Sequence, residues 1–330
     1  MIKRYDVVSI CNALIDILVK AEDHDLDNLE LRKGVMHLVD DPRQSFVLQQ
    51  FNGKERTMEL GGSSLNAIRS LAALGSKTVF AGMIGNDDFG DKIKNRLHEL
   101  GIVAKLVVSK TATTGTCLIL ITPDGERTMN TNLGASRLFD ETLVPEEELA
   151  EAKVFHFCGY QWDTDGQKQA IRNAIAVAER SQTLVSFDAA DPFVCERNGA
   201  DFRSLIHEDA DLVFANREEA RILFGSPEKA ADDIARHGAT AVIKLGADGA
   251  LLARGDVRVH VRPEPTKVID TTGAGDMFAA GFLFGYCQGL PLELAGRMAA
   301  ILAADVISRV GAKVSEAAIA SVLKVRNAGA

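Results

Sequence analysis

The segment Asp270-Thr-Thr-Gly-Ala-Gly-Asp276, followed at once by the apolar stretch 277–285, combines residue types that can do chemistry at short spacing. Small residues at Gly273, Ala274 and Gly275 let the backbone turn so that successive N–H groups face outward. If the apolar stretch is a helix, those donors lie at its N-terminus. Together with the helix dipole they make an anion site that needs no lysine. Asp276 falls in the first turn beside that site. A carboxylate there can take the proton of a hydroxyl while the amides stabilise negative charge on a phosphoryl group in transfer. The plainer alternative is an acidic residue that only complements the helix dipole. Neither a GxxxxGK[ST] loop nor a GxGxxG fingerprint is present, since Phe278 stands at the third glycine position.

A scaffold must bring such residues to one place. From residue 154 onward, apolar runs at 154–159, 183–188, 212–216 and 241–245 alternate with amphipathic stretches at 167–180, 218–224 and 230–237. The runs read as strands buried on both faces and the stretches as helices, so the pattern predicts βαβ units in a parallel sheet. Strands at 6–11 and 79–84 extend it, with helices at 65–74 and 91–100 closed by Gly75 and Gly101. Residues 12–61 and 106–134 break the rhythm with shorter pieces such as 117–122 and 127–131, joined by the turn Pro123-Asp-Gly-Glu126. The expected fold is α/β. A doubly wound, mainly parallel sheet with helices on both faces fills a large domain of residues 1–11, 62–105 and 135–330, and a small β-sheet lid is built from 12–61 and 106–134. Open α/β sheets bind ligands outside their C-terminal strand ends, where such a lid would sit.

With 330 residues, 46% hydrophobic and 25% charged, the chain has the balance of a globular protein with a sizeable core. A formal charge of −9 argues against a nucleic-acid partner, because polyanion binders carry excess Lys and Arg. Any phosphate site must therefore be local. Cys11, Cys117, Cys158, Cys195 and Cys287 are far apart and lack CxxC spacing, so buried reduced thiols are expected rather than disulfides or zinc ligands. The N-terminus meets Asp6 early and reads as a strand rather than a signal peptide, and no run of about 18 apolar residues follows. These features lead to the expectation of a cytoplasmic protein with no membrane partner.

The segment Asp270–Asp276 resembles the C-terminal signature of the ribokinase-like carbohydrate kinases, the phosphofructokinase-B (PfkB) family. Gly61-Gly-Ser-Ser-Leu-Asn-Ala67 resembles their double-glycine motif, and Ile84-Gly-Asn-Asp-Asp-Phe-Gly90 its continuation. Asn216-Arg-Glu-Glu219 and Lys244-Leu-Gly-Ala-Asp-Gly249 follow in the same order, so the likeness spans nearly the whole chain. It implies an ATP-dependent kinase acting on a hydroxymethyl group of a small nucleoside or sugar, with ATP and Mg²⁺ as cofactors, K⁺ as an optional one, and a monomer or homodimer as the assembly. By resemblance, Asp276 is the base, the amides of Gly273, Ala274 and Gly275 hold the phosphoryl group, and Arg127 reaches the transferring phosphate. Asn216 and Glu219 would organise Mg²⁺ through water, and Lys244, Gly246 and Gly249 would border ATP. Asp16, Gly62 and Asn66, with Asn12 and Gly61 beside them, would grip the acceptor's hydroxyls. Taken singly, Asn12, Asp16 and Asn66 read as turn or cap residues, Glu219 as a solvated carboxylate and Lys244 as a strand-end charge.

Two details resemble the adenosine-kinase branch more than ribokinase. No lysine follows the double glycine, and Arg127-Thr-Met-Asn-Thr-Asn-Leu133 is similar to that branch's lid strand. Met36, Leu38, Met129, Thr131, Tyr160, Trp162 and Phe193 would then wall a purine, although aromatics of a sheet protein are as often core. The expected reaction is phosphorylation of the adenosine 5′-hydroxyl to AMP. The alternatives are a kinase for ribose, fructose or a keto-deoxy sugar acid, and a catalytically silent ligand-binding protein on the same fold.

Overall fold

In the computed structural model, which describes residues 3–329, the strands in chain order are β1 (Tyr5–Ile10), β2 (Leu14–Lys20), β3 (Met36–Leu38), β4 (Arg56–Gly61), β5 (Thr78–Gly85), β6 (Val103–Ser109) and β7 (Thr114–Ile121). They continue with β8 (Arg127–Gly134), β9 (Ala152–Cys158), β10 (Leu184–Asp188), β11 (Leu212–Asn216), β12 (Thr240–Lys244), β13 (Ala250–Arg254) and β14 (Val257–Val261). The helices are α1 (Asp23–Asn28), α2 (Asp41–Gln50), α3 (Ser63–Ala73), α4 (Asp88–Glu99), α5 (Glu146–Ala150) and α6 (Asp165–Ser181). After them come α7 (Pro192–Glu208), α8 (Arg217–Phe224), α9 (Pro227–Arg236), α10 (Ala274–Tyr286), α11 (Leu292–Ile307) and α12 (Glu316–Gly329).

Nine strands form the large sheet in the order β14-β13-β12-β11-β10-β9-β1-β5-β6. Pairing is parallel from β6 to β12, and the last two strands add an antiparallel edge hairpin. The chain steps from β1 to β5 and β6 on one side, then from β9 outward to β12 on the other. The order thus reverses between β1 and β9, and the C-terminal ends at such a reversal are the usual ligand position of these sheets. Alternate residues of each strand enter opposite cores. Val7, Phe80, Val154, Phe214 and Val242 pack with Leu65, Phe282 and Leu302 of α3, α10 and α11. Ile10, Phe155, Phe187, Val213 and Ile243 pack with residues of α6, α7 and α9. This double burial is why the strands read as unbroken apolar runs.

A second sheet, ordered β3-β8-β7-β2-β4, projects from the strand ends. One face, with Ile15, Ile17, Val19, Leu118 and Leu120, is covered by Leu26 of α1, Val47 of α2 and Phe51 just after α2. Segment 12–61 is therefore not purely β, because two short helices roof the sheet. The expected second insertion also begins too early at 106. Leu106–Ser109 are the end of β6, paired with Gly82–Gly85 in the large sheet. As an edge strand β6 leaves Val103 and Val108 exposed, which imitates the half-buried pattern of the small sheet. Helix α7 had no counterpart in the sequence reading, although Asp191 caps it and Pro192 opens it. No described helix is long and apolar enough to cross a membrane, and all five cysteines are free thiols, four of them buried.

Candidate active site

Helix α10 starts from Gly273, its N-cap, at φ +75°, a left-handed backbone that favours glycine. The Ala274 N–H turns back to the Thr271 carbonyl at 3.2 Å. The N–H groups of Gly273, Gly275 and Asp276 have no protein acceptor among the described residues. Ala274 thus does not join the open donors, and the N–H of Asp276 itself takes its place. A Cβ on Gly275 would lie 3.2 Å from Lys244 Nζ, so an ammonium stands against the loop. Lys244 ends β12 and bonds Asp188 Oδ2 at 3.0 Å and Oδ1 at 3.2 Å. Burial alone would lower its pKa, but Asp188, Glu219 and Asp276 raise it, and the group is cationic.

The Asp276 carboxylate is held from the start of α3. Ser63 Oγ donates to Oδ1 at 2.6 Å and Asn66 Nδ2 to Oδ2 at 3.0 Å. Burial pushes its pKa up to about 6, while the Ser63 and Asn66 donors pull it down; Asp188 pushes up and Lys244 down. Arg69 Nη1 donates to Asn66 Oδ1 at 3.1 Å and to the Leu60 carbonyl at 2.9 Å. That bond turns the Asn66 NH₂ toward Asp276. The chain reaches this position through Gly62 at φ +106°, where a Cβ would fall 2.4 Å from the Asn12 carbonyl oxygen.

Asp16 lies within β2, and its carboxylate makes no hydrogen bond among the described residues. A Cβ on Gly61 would sit 2.1 Å from its Oδ1, so glycine there makes room for the carboxylate. Burial pushes Asp16 up to about 7, opposed by Arg69 and reinforced by Glu59 and Asp276. Across the small sheet, Leu38, Thr131, Cys117, Asp16 and Glu59 share one register row. Met36, Met129, Ile119 and Leu18 form the next row on the same face, where Leu18, Cys117, Ile119 and Met129 pack together. The result is a pair of neighbouring carboxylates without hydrogen-bond partners, Asp16 and Glu59, beside a largely apolar surface.

The remaining expected residues lie on neighbouring elements. Arg127 is ion-paired with Asp270, whose carboxylate also accepts the N–H groups of Thr272 at 3.0 Å and Gly311 at 3.1 Å. The small sheet is thereby tied to the anion loop. Asn12 is buried, donating to the Tyr160 carbonyl at 3.3 Å and accepting from Gln167 at 2.9 Å, so it braces the crevice wall. Trp162 corrects the expectation of a purine wall. It is buried in the second core, donates to Asp201 at 2.8 Å and meets the Phe202 ring edge-on. Tyr160 is half-buried beside it, whereas Phe193, at the start of α7, is 60% exposed. At the end of β11, Asn216 caps α8. Its amide and N–H bond the two Glu219 oxygens at 2.5 and 2.7 Å, a closed capping box. Gly246 and Gly249 shape the turn between β12 and β13, with Gly249 against the Val261 carbonyl.

Residues 35–318 match the pfkB family of carbohydrate kinases. The chain belongs to this family. An uncharacterized sugar kinase of Archaeoglobus fulgidus is 29% identical over 245 residues, covering 74% of this chain and 96% of the relative. Among solved structures, a probable sugar kinase protein from Rhizobium etli CFN 42 is 31% identical with a TM-score of 0.91. The adenosine kinase from Sinorhizobium meliloti is 32% identical with a TM-score of 0.89. Each match covers 98% of this chain and 99% of the other.

This PfkB kinase is accordingly an ATP-dependent enzyme acting on a sugar or nucleoside. Its own residues fit Mg²⁺. Asp188, Asp191 and Glu219 crowd the strand ends around Lys244, and burial together with the Asp188 and Asp191 charges pushes Glu219 up to about 7 against the pull of Lys244. A divalent ion held through its waters relieves that excess of negative charge. Sequence reasoning left Ser63, Arg69, Asp188 and Asp270 without a role in the site. Ser63 sat inside the double-glycine motif and Asp270 at the head of the anion motif. Asp188 closes an apolar run, where α/β sheets present ligand-binding groups.

Proposed function

We propose that this kinase phosphorylates a ribonucleoside, adenosine first, at its 5′-hydroxyl, giving AMP and ADP. The observation that carries this reading is the Asp16 carboxylate, which has no hydrogen-bond partner and stands beside the apolar side chains of Leu18, Cys117, Ile119 and Met129 on one face of the small sheet. A carboxylate suits the paired 2′ and 3′ hydroxyls of a ribose, and the surface of Met129, Ile119 and Leu18 suits a flat base. The likeness to the Sinorhizobium meliloti adenosine kinase supports it.

In the reaction, the acceptor oxygen attacks the γ-phosphorus and its proton passes to Asp276. The bond from that phosphorus to the bridging oxygen breaks, and ADP leaves with the electron pair. The open N–H groups of Gly273, Gly275 and Asp276, with Lys244 beside them, face the charge on the transferring group. Mg²⁺, when bound, neutralises the β- and γ-phosphates, and Asp188 and Glu219 are the residues that would hold it through water. Asp276 is ready to accept a proton because Ser63 and Asn66 both donate to it.

A free-sugar acceptor is the second reading. It is favoured by the burial of Trp162, which thins the aromatic wall, and by the likeness to the Rhizobium etli sugar kinase. The deciding measurement is kcat/KM for adenosine, ribose, fructose and a keto-deoxy sugar acid on one preparation. Adenosine should lead, and 2′,3′-dideoxyadenosine should fall behind it by about 10³-fold or more, because Asp16 is then left unpaired. A free sugar ahead of adenosine would overturn the nucleoside reading and leave the role of Asp276 standing.

A further inference from the structure

Away from the cleft, two imidazoles and a carboxylate converge. Helix α9 places Asp233 four residues before His237, so both point from one face, and His207 reaches them from the last turn of α7. His207 Nε2 lies 2.6 Å from Asp233 Oδ2, and His237 Nδ1 lies 3.8 Å from the same oxygen. One ligand atom from each of the three lies within 4.8 Å of the others. The two rings stack at 3.9 Å with an interplanar angle of 14°. His237 Nδ1 also meets the Asp233 backbone carbonyl oxygen at 2.9 Å, a contact that an ion bound at that nitrogen would replace.

We propose that His207, Asp233 and His237 form a binding site for a divalent transition-metal ion of the zinc class, clasping the end of α7 to the end of α9. Two nitrogens and one carboxylate oxygen are the donor set that zinc accepts, with water completing a tetrahedron. Magnesium, which prefers oxygen ligands and keeps its waters, is a poor match for the same donors. In a tetrahedral zinc site the ligand atoms stand about 3.3 Å apart. The present separations bracket that value, so binding asks for shifts of about an ångström and for the rings to splay until each lone pair faces the ion. The side chains have room for this, being 31%, 27% and 41% exposed for His207, Asp233 and His237. Arg236, whose guanidinium lies 4.0 Å from Asp233, is 73% exposed and free to turn into solvent.

The site is distinct from the kinase centre by topology. Helix α7 follows β10, whose last residue Asp188 bonds Lys244, and its 17 residues, kinked at Asn198, carry the chain back toward the start of β11, away from the C-terminal strand ends. His237 likewise precedes the first residue of β12, whereas Lys244 is its last. A metal there acts on the packing of α7 against α9 and does not touch the reacting groups.

The test is Zn²⁺ binding to the full-length, chelator-stripped protein with millimolar MgCl₂ present, followed by competition with a chromophoric chelator. One Zn²⁺ per chain should be taken up. His207→Gln and His237→Gln should each weaken it by about tenfold or more, with Mg²⁺-supported turnover unchanged. On the unmodified protein, ZnCl₂ should shift the ring-proton NMR signals of two histidines, a readout that needs no variant to fold. Absence of uptake at micromolar ZnCl₂ would overturn the proposal. So would an affinity in both variants equal to that of the parent protein, which would place the ion at the cysteines or the cleft carboxylates.

Discussion

Two donors, Ser63 and Asn66, favour the charged form of Asp276, the proposed base, although burial and Asp188 disfavour its charge. Its folded pKa of about 6 lies above the ordinary value of 3.8, so the native state takes up this proton before the unfolded chain does. The stability cost of the buried charge is therefore fully present above about pH 6 and fades as pH falls toward the unfolded value. Activity runs the other way, because the base works only when ionised. Asp276→Asn should lower turnover by about 10²-fold or more and, at pH 8, melt no lower than the parent protein. A variant that keeps its turnover would remove Asp276 from the chemistry. In the parent, kcat/KM should decline below about pH 6, and Ser63→Ala should move that limb to higher pH, since it removes a donor that stabilises the carboxylate. An unmoved limb would mean that another group limits the rate.

The double glycine is where element geometry meets substrate. Strand β4 runs antiparallel to β2 and ends at Gly61, next to the Asp16 carboxylate. A methyl group there would stand 2.1 Å from Asp16 Oδ1, a contact only a displaced side chain can relieve. Gly61→Ala should raise KM for the acceptor by about tenfold or more, as expected for a misplaced binding group, while KM for ATP stays within about twofold. The split is informative because a loosened sheet would harm both constants. The proposed nucleotide side would depend instead on the ends of β10, β11 and β12, which bring Asp188, Asn216 and Lys244 together from three strands.

At the scale of the molecule, the small sheet is a candidate lid over the large sheet's crevice. It is joined to the anion loop by the Arg127–Asp270 pair. Closure would exclude water and limit wasteful ATP hydrolysis. Backbone hydrogen exchange in β2, β7 and β8 should slow when acceptor and a non-hydrolysable ATP analogue are both saturating. Exchange that stays the same would show a sheet that frames the site without closing on it.

Much of this was legible in one dimension. The parallel strands are buried on both faces, so 154–159, 183–188, 212–216 and 241–245 stood out as apolar runs, and β9 to β12 occupy nearly those spans. Gly273-Ala-Gly275-Asp276 announced the start of α10 with a carboxylate in its first turn, because that pattern is local. Edge strands and roofing helices were harder to read. β6 shows an irregular half-exposed pattern that belongs to either sheet, and α1 and α2 are too short for their periodicity to speak. What lay beyond the sequence were contacts between distant segments. Ser63 and Asn66 meet Asp276 across more than two hundred residues, and Arg127 is engaged by Asp270 across 143. Trp162 turns inward to Asp201 rather than toward the crevice. Residue type announces what a side chain can do, but its partner and the face it presents are set by packing between segments that are far apart in the chain.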